Sequence, residues 1–168
     1  MFAGRCRTGW ETFTSGSAVK CFKYFATPQS PVAAEASCQA LGGHLASIHS
    51  LEEHNFVTGM ASSDIFWIGG VDVNNNGTWE WTDGSSFDYS NWRAGQPNGG
   101  EYYIAIGDAQ GGGDWRDWVV EGNADYVCQL GLGGVYLKFY TGLTYKNLRL
   151  NIKENMTTRK GKGLEQGD

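Results

Sequence analysis

The chain has 168 residues, with 18 acidic and 13 basic side chains for a formal net charge of −5, and it is 14% aromatic with 25 glycines. No stretch approaches the roughly 20 apolar residues that cross a bilayer, so no transmembrane segment is expected. An acidic chain is a poor partner for phosphate backbones, so nucleic-acid binding is not expected either.

The length suits one domain plus an extension. Abundant glycine with large aromatics suits a loop-rich fold pinned by apolar side chains. Met1 to Trp10 lack the apolar segment of a signal peptide, so an export leader is expected to be missing from this sequence. Cys6 to Phe25 alternates around Trp10, Phe13, Cys21, Phe22 and Tyr24, with Ser15-Gly16-Ser17 as a turn, and reads as a hairpin. Pro31 to Leu41 is rich in alanine and stops at Gly42-Gly43, which predicts a helix with Cys38 on its buried face. Ser50-Leu51-Glu52-Glu53 has the form of a capping box and opens a second helix toward Met60.

After Ser63 the helical pattern ends. Short strands are predicted at Phe66–Ile68, Thr78–Trp81, Tyr102–Ile106 and Tyr126–Gln129, separated by Gly, Asn and Asp. Two helices followed by short antiparallel strands and long loops make an α+β arrangement. Residues 1–130 hold 15 acidic and 6 basic side chains, and residues 131–168 hold 3 acidic and 7 basic. The expected division is therefore a folded domain over 1–130 and a basic tail over 131–168 that is mostly disordered. Four cysteines, Cys6, Cys21, Cys38 and Cys128, form no C-x-x-C pair, so disulfides in an oxidising compartment are expected rather than zinc. They allow three connectivities, and their spacing does not choose among them.

The richest run lies between Phe66 and Asp117. It contains Phe66-Trp67-Ile68-Gly69-Gly70, Trp79-Glu80-Trp81, Asn91-Trp92, Gln96-Pro97-Asn98 and Trp115-Arg116-Asp117. In this order, with Gly9-Trp10, Cys21-Phe22, Cys38 and Cys128 around it, the chain resembles the C-type lectin-like domain from about Cys6 to Gln129. The resemblance implies the pairs Cys6–Cys21 and Cys38–Cys128. It also implies a cis Gln96–Pro97 bond and a calcium-dependent sugar site. The calcium ligands it implies are Gln96, Asn98, Glu101 and Asp117, all hard oxygens of the kind that ion prefers. The same side chains, with Arg116 and Trp118, are the implied carbohydrate contacts, the Trp118 ring offering a face for a pyranose. The core is expected to take Trp67, Trp79, Trp81, Trp92 and Trp115.

Three features depart from the family pattern. Arg116 stands where the family has a calcium-binding Asn, and a guanidinium offers no acceptor. About 5 Å from the ion it would be repelled by roughly 6–7 kcal/mol at an effective dielectric near 20. The tripeptide Gln-Pro-Asn mixes the mannose-type and galactose-type forms and predicts neither. The inner disulfide is absent, its positions being Tyr103 and Val120. A further calcium site in relatives is matched only by Asp72 and Asn76, so it is expected to be lost.

Asn76-Gly77-Thr78 and Asn155-Met156-Thr157 are glycosylation sequons if the chain is secreted. His44, His49 and His54 fall in no metal-ligand pattern and read as structural. No nucleophile elbow, phosphate loop or H-E-x-x-H element occurs. The expectation is an extracellular carbohydrate-binding module for glycans or glycoproteins, with no catalytic residues. The alternative is a calcium-independent protein-interaction domain in which Arg116 replaces the ion.

Overall fold

The computed structural model describes residues 6–107, 113–119 and 121–131. Its first elements follow directly from local sequence. β1 (Glu11–Ser15) and β2 (Ala18–Gln29) form the hairpin, turning at Gly16 with φ +59°, and β2 runs past Phe25 through a bulge. α1 (Pro31–Ala40) begins at Ser30, whose hydroxyl accepts the Ala33 N–H, with Pro31 in the first turn where its missing N–H costs nothing. It ends before Gly42, at φ +88°. Pro31, Ala34 and Cys38 share its buried face, spaced three and four apart.

α2 (Leu51–Met60) starts at Ser50, whose hydroxyl accepts the Glu53 N–H at 3.1 Å. The capping box closes one residue further out than its pattern predicts, because Glu53 accepts the His49 N–H at 2.7 Å rather than that of Ser50. Glu53 is buried, and the Lys20 ammonium of β2 lies 2.8 Å from its other oxygen as an ion pair, without hydrogen-bond alignment. That pair ties α2 to the hairpin.

The remaining strands are β3 (His44–Leu45), β4 (Ile65–Val71), β5 (Glu80–Trp81), β6 (Tyr103–Gly107), β7 (Trp115–Trp118) and β8 (Ala124–Gly131). Among the described residues they build one sheet in the order β1-β2-β8-β4-β6-β7, with β3 added to β8 and β5 to β4. β4 runs parallel to β8 and the other pairs are antiparallel. The α+β expectation holds. The elements differ in length from their sequence signals. β4 extends through Gly69 and Gly70, whose lack of Cβ lets Leu45 and Ile104 approach the backbone. β3 was not predicted, since two residues carry no pattern of their own. It exists because His44 and Leu45 pair with Gln129 and Cys128.

β4 is buried on both faces, and its alternation divides the interior. Phe66 and Ile68 face a cluster with Phe22, Ile48, Val57 and Trp115. Trp67 faces a second cluster with Cys38, Leu45, Tyr126 and Cys128. Each fully buried side chain of this size stabilises by about 1.5–3 kcal/mol relative to exposure. The disulfides are Cys6–Cys21 and Cys38–Cys128, and the second links α1 to β8 across 90 residues. The expected boundary at 130 falls at the end of β8. The basic tail lies outside the described residues, apart from Gly131, as does Val120.

Candidate functional site

The loops after β4 and before β6 rise from one end of this sheet, and carboxylates hold them. Asp72, buried at the end of β4, accepts the N–H groups of Asn76 at 3.2 Å and Gly77 at 2.7 Å. Its own N–H donates to the Tyr102 carbonyl at 3.0 Å. The turn passes through Asn75 at φ +50° and Gly77 at φ +82°, conformations that the Asn-Asn-Asn-Gly run supplies cheaply.

The second loop is fastened along β7. Trp115 donates its N–H to the Asn91 carbonyl, and Arg93 donates to the Trp115 carbonyl. Gln96–Pro97 is cis, as the resemblance implied. Beyond it, the Asn98 N–H donates to one Asp117 oxygen at 3.1 Å and the Gly99 N–H to the other at 2.9 Å. The Gly100 N–H reaches the Asn75 side-chain oxygen at 3.1 Å and joins the two loops.

Between these loops lies a cleft of about 340 Å³. Asp72, Asn75, Trp79, Asn98, Glu101 and Asp117 supply its side-chain walls. Three of the four sequence-predicted metal-site residues therefore share one cleft. The fourth, Gln96, is not among its walls, but its side-chain oxygen is buried and accepts no hydrogen bond from any described residue. Burial and the neighbouring Asp117 carboxylate push Glu101 above the ordinary carboxylate range, and the Arg116 charge works against them. The two acids thus repel one another across the cleft, with a guanidinium partly offsetting the charge.

The pleat of β7 separates the remaining candidates. Trp115 and Asp117 are buried on one face, and Arg116 and Trp118 are half-buried on the other. Trp118 packs its ring 5.5 Å from that of Trp67, and the Arg116 guanidinium lies 5.9 Å over the Trp118 ring. Neither lines the cleft. The aromatic wall is instead Trp79, which packs 5.0 Å from Trp92 and has a buried indole N–H with no acceptor among the described residues. Trp79 was grouped with the core tryptophans, and it does pack on the core edge. Asp72, matched in sequence only to a second calcium site expected to be lost, is a wall of this cleft, and so is Asn75, which carries no sequence signal of its own.

Calcium asks for several hard oxygen donors. Among the described residues no three acidic, His or Cys side chains group closely enough for a metal. The candidate set, however, is two carboxylates and two amides. All four are hard oxygen donors, and Asp117 retains lone pairs after accepting two N–H groups. An orphaned buried carbonyl at Gln96 is what a missing cation or donor would leave. The chemistry of the set fits the ion, and Arg116 is the discordant residue.

The three histidines are structural. His44 pairs with Glu35 at 2.6 Å. Buried His54 accepts the Trp115 indole N–H at Nδ1, at 3.1 Å, so its ring is neutral, and burial lowers its pKa against the pull of Asp114. His49 stands 2.6 Å from Asp88 and 3.2 Å from the Ser47 hydroxyl, the spacing of a nucleophilic triad. Ser47 is buried, though, and its hydroxyl donates to Asp83 at 2.6 Å. It is a fixed link of the network joining β8 to the loop after β5. Burial acts to raise Asp83, but hydrogen bonds from Ser47 and Ser85 outweigh it and hold the acid below its ordinary value.

Fold and cleft together define a disulfide-braced domain with a loop-borne, oxygen-rich cleft. The chain belongs to the C-type lectin domain family, whose model, described as Lectin C-type domain, matches residues 27–130. It is 40% identical over 121 residues to ladderlectin of Oncorhynchus mykiss, covering 67% of this chain and 58% of that protein. It is 39% identical over 98 residues to the galactose-specific lectin nattectin of Thalassophryne nattereri, covering 55% of this chain and 59% of that protein. The chain thus spans a little over half the length of these two relatives. A solved calcium-independent type II antifreeze protein superposes with a TM-score of 0.69 at 33% identity, over 76% of this chain and 95% of that one. No helix among the described residues is long and apolar enough to cross a membrane.

Proposed function

We propose that the protein is an extracellular carbohydrate-binding module that takes glycans or glycoproteins in the cleft between the Asp72–Trp79 and Gln96–Glu101 loops. The observation that carries this reading is the meeting of Asn98, Glu101 and Asp117 on one cleft beside the unsatisfied Gln96 oxygen. Gln96, Asn98, Glu101 and Asp117 would hold a calcium ion, which when bound supplies coordination sites for two sugar hydroxyls. The chain's own groups do the rest. Asp117 fixes the loop through the Asn98 and Gly99 N–H groups. Trp79 offers an apolar wall. The two relatives named as lectins support the same class of ligand. The module binds and does not catalyse, and its disulfides suit an oxidising, secreted setting. The test is a glycan array run with calcium and with EDTA. Binding that disappears in EDTA supports the reading, and no binding to any glycan at any calcium concentration overturns it.

A second reading has its own observations. Arg116 acts on Glu101, and the Gln96–Glu101 loop is already tied to β7 by the Asp117 carboxylate. On this reading the domain is a calcium-independent interaction module. Thermal melting separates the two. An ion that binds only the folded state at a hundred times its Kd adds about 2.7 kcal/mol. An unchanged Tm in millimolar calcium, with a calcium-dependent rise in Arg116→Asn, favours the second reading.

A further inference from the structure

The loop from Asp72 to Trp79 carries the tripeptide Asn76-Gly77-Thr78, and Asn76 takes no part in the cleft. Residues 73–78 are all exposed, yet their backbone is fixed. The Asp72 carboxylate holds the N–H groups of Asn76 and Gly77, and Gly77 turns the chain at φ +82°. The Asn76 side-chain oxygen then accepts the Thr78 N–H at 2.9 Å. This closes an Asx turn that brings Thr78 against the Asn76 amide. The Asn76 nitrogen makes no hydrogen bond to any described residue, and it lies on an exposed turn.

We propose that Asn76 is a site of N-linked glycosylation, which puts a glycan on the rim of the ligand cleft. The inference rests on the extracellular reading above only for the compartment, and the two disulfides point to that compartment independently. The co-substrate is an oligosaccharide carried on a lipid diphosphate. The Asn76 amide nitrogen forms a bond to C1 of the first sugar. The bond between C1 and the diphosphate oxygen breaks, and its electron pair leaves on the diphosphate. One amide proton is lost to a base of the transferase. Accepting the Thr78 N–H polarises the side-chain carbonyl and eases that loss. Little side-chain packing is given up, because Asn76 is exposed.

The second sequon, at Asn155, lies outside the described residues and must be separated from the first. The full chain with Asn155→Gln is directed into a eukaryotic secretory pathway, and its intact mass is read before and after peptide-N-glycosidase F. The expected result is a discrete mass excess that the enzyme removes. The excess should disappear when Thr78→Val is added, since valine keeps the backbone hydrogen bond and loses only the hydroxyl. It should persist with Thr78→Ser. Secreted Asn155→Gln protein with the bare polypeptide mass overturns the proposal, as does an excess that survives Thr78→Val. Should the Asn155→Gln chain be retained in the cell, glycopeptide mapping of the unaltered chain reads occupancy of Asn76 directly. An unoccupied Asn76 in that map overturns it equally. Because the readout is mass, it stands or falls apart from whether the cleft binds sugar.

Discussion

The sheet interior and the cleft loops are held by different physics. β2, β8, β4 and β6 are fixed by apolar side chains buried on both faces and by the Cys38–Cys128 link. The two cleft loops, residues 73–78 and 96–101, bury little, and they keep their shape through backbone N–H groups donated to Asp72 and Asp117. Apolar burial is nondirectional and tolerates exchange of one large side chain for another of similar volume. A carboxylate that accepts two N–H groups does not tolerate replacement, because its geometry is the restraint. One scaffold can therefore persist while the charge around its cleft changes with single residues, as Arg116 acts on Glu101 without lining the cleft.

The contrast can be broken first at the scaffold. Replacing both Cys38 and Cys128 by serine opens a loop of 90 residues and should cost about 4–5 kcal/mol on the chain-entropy model. Urea denaturation checks this, and a loss below about 1 kcal/mol would show that the sheet does not depend on the link. Asp117→Ala attacks the loops instead. It strands the Asn98 and Gly99 N–H groups, which are part-exposed and regain water, so a loss of about 1–2 kcal/mol is expected. The same variant should give faster amide exchange at Asn98 and Gly99 while the β4 and β8 amides keep their protection. Uniform loosening of both regions would contradict the division.

Acid sharpens the comparison from inside the core. Folded His54 binds its proton only below the ordinary histidine value of 6.5, because burial opposes the charge. As pH falls below that value the unfolded chain takes up a proton that the folded chain refuses. Stability is therefore full above it and declines as pH drops toward the lowered folded value. A Tm profile should show this decline, and His54→Gln should flatten it. Val73→Ser, at a position 69% exposed on the Asp72–Trp79 loop, should change stability by no more than about 0.5 kcal/mol. A larger loss would mean that the loop depends on apolar contact after all.

Local signals in the sequence determined much of this protein. The alanine-rich run from Pro31 to the Gly42-Gly43 stop placed the first helix, and Ser50 with Glu53 placed the start of the second, since a cap is chemistry between near neighbours. The alternation from Cys6 to Phe25 placed the hairpin. Ordered motifs pointed to the family, and they drew attention to Asn98, Glu101 and Asp117, which the fold brings to one cleft. The pairing of the four cysteines was not readable from their spacing, because it depends on which strands meet. β3 exists only through its partner β8, and the part of Asp72 is set by a loop that folds back upon it. Trp118 and Trp79 show the same limit. Both are tryptophans near polar residues, and the pleat of β7 turns one onto Trp67 while the cleft takes the other. Side-chain direction at the end of a strand is fixed by register with distant strands, and only the assembled sheet decides it.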